Sequence, residues 1–356
     1  MHPALTFLYH KWLGHGDRWY PFFATYYLTY TCDFRCPYCA NGANIPFHRL
    51  PDSAVSGQAA LQILQRIRNH TAHLVLTGGE PLMHPDAGEV IRGIAALKFQ
   101  TLVLTTNGER LLDFLPDLDG SVSELVVSLD TLDARKADAW YGKGAGMLQT
   151  ILANIEHAAR FRAAMQRPFT LTLSAVATPN NIEDLYDVYA YARQHGCRFS
   201  ASPELQGVAP PEKLRTSSAY RAFQDFLIAE KRQGRDIFGS CQYLEHQRDF
   251  RSYVCHPLTM LAVSPSGEVL YPCLEKGRPI GNILTDDLHR LHQKARQTSG
   301  LGPQPCPAAC PSPCALSLSL PIERPATELA GYLAHSWRVR LRKRLNPHRQ
   351  KPKNGE

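Results

Sequence analysis

The chain has 356 residues, of which 44% are hydrophobic, and a formal net charge of +7. This length suffices for one large domain with a smaller one, or for one extended α/β barrel. No apolar run is long enough to cross a membrane, and the first 16 residues lack the pattern of a cleaved signal. The composition therefore excludes a spanning helix and predicts a folded cytoplasmic protein.

Most of the positive charge lies in residues 338–353, which contain eight lysines and arginines and no acid. The rest of the chain is close to neutral, which argues against nucleic acid as a partner. Five large apolar residues recur every four positions around these cations: Leu329, Leu333, Trp337, Leu341 and Leu345. The pattern predicts a basic amphipathic helix in a tail, residues 326–356. It either contacts a membrane peripherally, on its inner face, or packs on the protein before a solvated charge run.

Between residues 23 and 211, β-rich apolar runs alternate with helical patterns at the spacing of repeated βα units. The predicted strands are Ala24–Tyr30, His73–Thr77, Thr101–Thr105, Glu124–Asp130, Thr170–Ala177 and Arg198–Ser202. The predicted helices are Ser56–Asn69, Asp86–Leu97, Glu109–Phe114, Met147–Met165 and Ile182–His195. Six such units predict an α/β fold, a parallel and partial (βα)6 barrel. Chemistry in such barrels gathers where the strands end, so we expect the site in the loops that follow them.

The pattern changes beyond residue 212. A helical stretch, Leu214–Arg232, leads to a hairpin-like Leu261–Tyr271 and then to the proline- and cysteine-rich Pro303–Pro313. The predicted domains are an N-terminal extension (1–22), the barrel (23–211), a helical connection with a Cys-rich domain (212–325) and the tail (326–356).

The ten cysteines are grouped rather than dispersed. Three lie within eight residues, Cys32, Cys36 and Cys39, and five more lie between residues 255 and 314. Such groups in a long chain without a signal favour metal ligation in a reducing compartment over disulfides. Cys197 and Cys241 stand apart. We interpret Cys197 as a buried apolar thiol and Cys241 as a spare ligand or a thiol that faces substrate.

Cys32, Cys36 and Cys39 directly follow the first predicted strand. Three thiolates on one loop can hold three irons of a four-iron cluster and leave the fourth iron open. A zinc site without its fourth ligand, or three incidental core thiols, is the alternative. The spacing resembles the C-x-x-x-C-x-x-C signature of the radical S-adenosylmethionine (SAM) superfamily, including an aromatic residue, Tyr38, before the last cysteine.

The resemblance implies a [4Fe-4S] cluster whose open iron is chelated by the amino and carboxylate groups of SAM. It implies that reduction cleaves SAM and that the 5′-deoxyadenosyl radical abstracts hydrogen from a substrate. An external one-electron reductant of the flavodoxin or ferredoxin type is then required. The resemblance also implies that Tyr38 lies beside the SAM adenine.

The residues after the second predicted strand are Gly78, Gly79, Glu80 and Pro81. Glycines expose backbone N–H groups to a ligand, although a Gly-rich turn is the plain structural alternative. In this position the four residues resemble the G-G-E-P motif of the same superfamily, which implies contact with the SAM amino group.

Polar residues also end the next two predicted strands. Thr106 and Asn107 lie at the third strand, where a plain β-to-α turn remains the alternative. Ser128 and Asp130 end the fourth strand and resemble the position that meets the SAM carboxylate or ribose. Asp130 has a second interpretation, as the cap of the following segment.

The C-terminal cysteines flank or follow the predicted hairpin: Cys255, Cys273, Cys306, Cys310 and Cys314. Cysteine, hairpin, Tyr271-Pro272-Cys273 and then a cysteine group resemble the auxiliary-cluster extension called twitch or SPASM. The resemblance implies a second iron–sulfur cluster held by four of the five. The tighter C-x-x-C of the family is missing here, and a zinc ribbon is the alternative because four thiolates suit both metals.

The leading hypothesis is therefore a radical SAM enzyme with an auxiliary cluster. It would activate a C–H bond of an organic substrate, which is a small molecule, a lipid-like molecule or a peptide. A non-catalytic iron–sulfur protein that carries electrons or scaffolds partners is the alternative from another class. An RNA-modifying radical SAM enzyme is the third interpretation, and it would require a salt-dependent affinity for RNA.

Overall fold

A computed structural model of the chain describes residues 19–51, 53–118, 120–166, 168–273, 275, 277–299, 310–328 and 331. One continuous sheet of nine strands runs through this part of the chain, in the order β6-β5-β4-β3-β2-β1-β7-β8-β9. The strands are β1 (Phe23–Tyr27), β2 (His73–Thr77), β3 (Thr101–Thr106), β4 (Glu124–Ser128), β5 (Thr170–Ala177), β6 (Arg198–Pro203), β7 (Met260–Val263), β8 (Glu268–Tyr271) and β9 (Arg278–Asn282).

Strands β1 to β6 pair in parallel with their sequence neighbours, as in the register Ala24↔Leu74 between β1 and β2. Helices connect these strands, which is the connection that parallel pairing requires. The predicted partial barrel is confirmed. The predicted bounds of β2 and β5 are those observed, while β1 and β4 end earlier than predicted because their last residues turn into the loops of the site.

The α-helices that the structure describes are α1 (Gly57–His70), α2 (Ala87–Ala95), α3 (Leu111–Phe114), α4 (Ala134–Tyr141), α5 (Met147–Ala164), α6 (Asp184–Gln194), α7 (Glu212–Arg215), α8 (Ser218–Arg232), α9 (Cys241–Asp249), α10 (Leu288–Ser299) and α11 (Pro313–Glu323). Helix α1 has a side-chain cap, because Ser56 accepts a hydrogen bond from the Ala59 amide, and a stripe of its apolar residues faces the core.

Five helical features differ from the sequence prediction. The stretch predicted as Leu214–Arg232 is divided into α7 and α8, because the Ser217 side chain caps α8 by accepting from the Tyr220 amide. Helices α4, α9, α10 and α11 were not predicted. Helices α4 and α9 are short, and their starts are fixed by Asp133 and Ser240 as caps.

The predicted hairpin forms and is attached to the barrel. Strands β7 and β8 pair antiparallel, with Val263 opposite Val269. Strand β7 also pairs in parallel with β1, with Ala24 opposite Leu261. The sheet therefore continues from the barrel into the residues after 212, here called the C-terminal segment. The sheet thus crosses the predicted boundary at residue 212, and the domain boundaries themselves stay predictions.

Within the described residues, no helix is both long enough and apolar enough to span a membrane. Most of the basic tail and its predicted amphipathic helix lie outside the described residues, as does Cys306.

Candidate active site

The loop with Cys32, Cys36 and Cys39 follows β1 and is fastened to the end of β2 by backbone hydrogen bonds. The Gly79 amide donates to the Thr29 carbonyl at 2.8 Å, and the Glu80 amide donates to the Thr31 carbonyl at 2.8 Å. The chain just before Cys32 therefore continues the parallel pairing of β1 with β2. This pairing fixes where the cysteine loop begins.

Gly78 and Gly79 are required by this close approach. A Cβ atom on Gly78 would lie 2.4 Å from the Thr29 carbonyl oxygen, and one on Gly79 would lie 2.4 Å from the Tyr30 carbonyl oxygen. Contacts that short do not occur between real Cβ atoms and backbone, so any side chain here would push the two strand ends apart. The two glycines thus have a structural function, and their contact with SAM stays a prediction.

Glu80 is 1% exposed and bonds to the chain around it. One carboxylate oxygen accepts from the Leu82 amide at 3.0 Å and the Thr106 hydroxyl at 2.9 Å, and the other accepts from the Asn107 amide at 2.6 Å. Burial raises the pKa of Glu80 to about 7, while these three bonds oppose the rise. Glu80 therefore joins the ends of β2 and β3. Pro81, also buried, opens a short 3-10 turn behind it.

Asp130 connects the cysteine loop to β5. Its carboxylate accepts from the Tyr38 hydroxyl and, at 2.6 Å, from the Val176 amide, and its carbonyl accepts from the Asn181 side-chain amide at 2.9 Å. Burial raises the pKa of Asp130 to about 6. The cap of α4 is Asp133, so the capping interpretation of Asp130 is wrong.

Two side chains that stabilise this site, Asn181 and Lys143, were not identified from the sequence. The sequence around Asn181 shows only a polar residue shortly before α6. Lys143 forms ion pairs with Asp33 in the cysteine loop and, at 3.1 Å, with Glu109, while Asn107 donates to Asp33 at 3.3 Å. These partly exposed pairs contribute little stability, but they fix the residue that follows Cys32.

Ser128 is the last residue of β4, half-buried and opposite Ser174 in the register. It therefore lies at the strand end where the sequence predicted a SAM contact, and that contact stays a prediction.

The three thiol groups of the cysteine loop are donors of the kind that bind an iron–sulfur cluster. Burial raises the pKa of Cys32 to about 12 and of Cys39 to about 11, and it raises the pKa of Cys36 further. Bound metal supplies the positive charge that keeps such buried thiols ionised. Among the described residues, no group of three or more His, Cys, Asp or Glu side chains is arranged as for a single metal ion. The fit rests on thiol number, spacing and position.

Four C-terminal cysteines converge. Cys255, Cys273 and Cys314 share one small apolar cluster with Met260 and Leu318. Burial raises the pKa of Cys310 to about 12, and the nearby Cys273 and Cys255 add to the rise, so Cys310 lies beside them. The convergence is consistent with an auxiliary cluster.

The two isolated cysteines lie elsewhere. Cys197 is buried in the barrel core, which confirms its interpretation as an apolar thiol, and Cys241 begins α9.

A cavity of about 650 Å³ lies between the cysteine loop and the C-terminal segment. Inward-facing residues of β1 to β3 form its floor, including Thr25, Thr77 and Thr105. Residues 40–43, directly after Cys39, line one wall, and Cys314 lines another. Of the predicted SAM contacts, Gly78 lines this cavity. The cavity therefore adjoins both cysteine groups, through the residues after Cys39 and through Cys314 itself.

We expect Gly42→Ala to destabilise the protein and slow its chemistry, because the loop and the C-terminal segment touch there. The new Cβ atom would lie 1.6 Å from the Glu275 carbonyl oxygen. Relief requires backbone movement, which costs ~1–3 kcal/mol. Thermal unfolding and SAM cleavage by the two proteins measure the effect. In the control Gly88→Ala, the new methyl meets only the flexible Arg92 side chain. Unchanged values for Gly42→Ala would contradict the close contact.

Comparison with known proteins identifies the family. The model of the radical SAM superfamily matches residues 26–192. The GTP 3′,8-cyclase of Campylobacter jejuni subsp. doylei is 32% identical over 266 residues, which cover 69% of this chain and 78% of that protein. The GTP 3′,8-cyclase of Synechocystis is 33% identical over 172 residues, 47% of this chain and 49% of that protein.

Two solved structures share the fold. Streptococcus suis SuiB bound to S-adenosylmethionine has a TM-score of 0.59 at 16% identity, over 77% of this chain and 66% of that chain, so this chain spans just under two thirds of SuiB. The structure of anSMEcpe with bound AdoMet has a TM-score of 0.56 at 15% identity, over 90% of this chain and 98% of that chain. The chain is an enzyme of the radical SAM superfamily, whose members use a [4Fe-4S] cluster and SAM, an electron donor and an organic substrate.

Proposed function

We propose that this enzyme cleaves SAM reductively at the Cys32–Cys39 loop and abstracts hydrogen from an organic substrate bound in the adjoining cavity. The observation that carries the proposal is the position of that cavity, which residues 40–43 join directly to Cys39. When bound, the reduced cluster and SAM supply a 5′-deoxyadenosyl radical, with methionine as the other product. Cys32, Cys36 and Cys39 would be the cluster ligands.

The residues around the loop orient these groups. Glu80 and Asp130 each join the ends of neighbouring strands, so the loop, β2, β3 and β5 are held in one arrangement. Both carboxylates are nearly inaccessible to water. Rigid support of this kind lowers the cost of ordering reactants at a site. SAM binding would be completed by the predicted contacts, which are those with Tyr38, Gly78, Gly79, Glu80, Pro81, Thr106, Asn107, Ser128 and Asp130.

A second cluster on Cys255, Cys273, Cys310 and Cys314 is part of the proposal. Four thiolates around one point are the usual ligand set of an iron–sulfur cluster. Its position beside the cavity would suit electron transfer to or from the substrate. Cys306 lies outside the described residues and is the alternative fourth ligand.

Reductive SAM cleavage tests the proposed activity. Anaerobically reconstituted protein should release 5′-deoxyadenosine when it is given SAM and a one-electron reductant such as reduced flavodoxin, and it should release none without the reductant. Absence of 5′-deoxyadenosine from protein with a full complement of iron would favour an electron carrier or scaffold.

GTP is the second candidate substrate, favoured by the names of the relatives at 32% and 33% identity. A triphosphate is normally bound by Arg and Lys side chains. The described residues that line the cavity include two carboxylates, Glu268 and Glu275, and no lysine or arginine. Lys276, in the same segment, lies outside the described residues. GTP-dependent stimulation of 5′-deoxyadenosine release, with a cyclised isomer of GTP as product, would establish this candidate.

A further inference from the structure

Three aromatic rings form a cluster, here called the aromatic wall, on one side of the cavity. Tyr27 lies on β1, Tyr30 follows it, and Phe47 begins a 3-10 turn after the cysteine loop. The ring centroids of Tyr27 and Phe47 are 5.7 Å apart, those of Tyr27 and Tyr30 are 5.5 Å apart, and those of Tyr30 and Phe47 are 6.2 Å apart. All three residues line the cavity. Three aromatic side chains thus line one small space.

Two carboxylates from the C-terminal segment face the aromatic wall. Glu268, on β8, adds to the effect of burial in raising the pKa of Tyr30, and Glu275 does the same for Tyr27. Each carboxylate is therefore near one of the tyrosines. Both also line the cavity.

The charges of these carboxylates are not balanced by cations in the part of the chain that the structure describes. Ser264 donates to Glu268 at 3.5 Å. Burial raises the pKa of Glu275 to about 7, and a hydrogen bond from Ser312 opposes the rise. Neither carboxylate forms an ion pair with a described lysine or arginine. Removing a carboxylate anion from bulk water costs free energy unless a positive charge lies beside it.

Aromatic faces and carboxylates favour the same kind of ligand. A ring attracts a cation through the negative potential of its face, and several rings around one space are a known way to bind ammonium groups. A carboxylate attracts the same cation directly. A triphosphate would instead meet two negative charges, and a neutral hydrocarbon would leave them without a partner.

We propose that the substrate carries a cationic amine, which binds in the cavity between Glu268, Glu275 and the aromatic wall. This inference rests on the proposed function, because it concerns the substrate of that site. The C-terminal segment then sets the charge preference of the enzyme, while the barrel strand ends hold SAM. Positioned in this way, the amine fixes one end of the substrate and so fixes which carbon faces the cysteine loop.

The test compares two probes that differ only in the terminal ammonium group. N-acetyl-lysine methylamide carries an ammonium group, and N-acetyl-norleucine methylamide lacks it. Equilibrium dialysis against the anaerobic, reconstituted protein, with saturating SAM, measures both affinities, and GTP serves as the anionic probe. We expect the lysine probe to bind at least ~10-fold more tightly than the norleucine probe, equal to about 1.4 kcal/mol. We expect Glu268→Gln to remove most of that preference.

Glu275→Gln should have the same effect, and Phe47→Leu should reduce the preference in part. Glu212→Gln, which changes an exposed carboxylate of α7 outside the cavity, is the matched control and should keep the full preference. If Glu275→Gln does not fold or does not retain its metal, Glu268→Gln alone decides, because Glu268 lies on strand β8 and is not next to a cysteine in the sequence.

Four results would overturn the proposal, of which three come from the dialysis with saturating SAM. They are equal affinity for the two probes, an unchanged preference in Glu268→Gln, and tighter binding of GTP than of the lysine probe. The fourth is tighter binding of the lysine probe in a parallel dialysis without SAM, because the cavity wall would then belong to the SAM site. Failure of the proposed function is seen separately, as wild-type protein that does not release 5′-deoxyadenosine.

Discussion

Cys36→Ala is expected to abolish SAM cleavage while the barrel stays folded. The substitution removes one of the three thiols on the loop, whereas the core of the barrel is made by β1 to β6 and the helices around them. Loss of a metal-ligating side chain should reduce activity by more than ~100-fold, since changes to residues that merely orient ligands already cost ~10–100-fold.

Release of 5′-deoxyadenosine measures the activity of the Cys36 variant, and circular dichroism with thermal unfolding reports whether the barrel is intact. Cys197→Ala is the matched control, because Cys197 is a buried thiol of the same barrel outside both cysteine groups. That control should keep SAM cleavage. Undiminished 5′-deoxyadenosine release by the Cys36 variant would refute the assignment of the loop as the cluster site.

A protein in which Cys32, Cys36 and Cys39 are all alanine is expected to retain roughly four irons with matching sulfide, by four-thiolate ligation. The four C-terminal cysteines lie in one region formed by other residues than the loop, so their site should survive its loss. With all irons ligated by thiolates, SAM should not perturb the absorption or electron paramagnetic resonance spectrum of this protein.

Metal and sulfide analysis of the triple variant decides among the alternatives. Adding Cys255→Ala should remove the remaining iron. Zinc without sulfide would refute the auxiliary cluster and establish a zinc site. A spectrum that changes on addition of SAM would mean that one iron of the second cluster is open, and that fewer than four cysteines bind it.

The sequence predicted the barrel and the positions of its motifs because those signals are local. The runs His73–Thr77 and Thr170–Ala177 are apolar and β-branched, and the structure has the same bounds. The cysteines lie in the loop after β1 and Gly78 directly after β2, and parallel strands end at one edge of the sheet. The hairpin was also predictable, from Ser266 and Gly267 at its turn.

Contacts between distant parts of the chain could not be predicted from the sequence. Glu80 was predicted as a SAM contact, but its three observed partners include Thr106 and Asn107, on another strand end. The capping of a following segment by Asp130 was plausible from spacing, yet the cap is Asp133. Asn181 and Lys143 carried no motif, and their contacts exist only because β4, β5 and α4 pack around the loop.

By itself, then, the sequence determined the radical SAM loop, the strand order along the chain and the two cysteine groups, because spacing and periodicity are properties of neighbouring residues. Only the tertiary structure decided that β7 pairs in parallel with β1, which brings the C-terminal segment over the mouth of the barrel. That pairing joins residues more than two hundred positions apart. It brings Glu268 and Glu275 to the same cavity as Tyr27, and burial of the shared apolar surface, rather than any local pattern, holds them there.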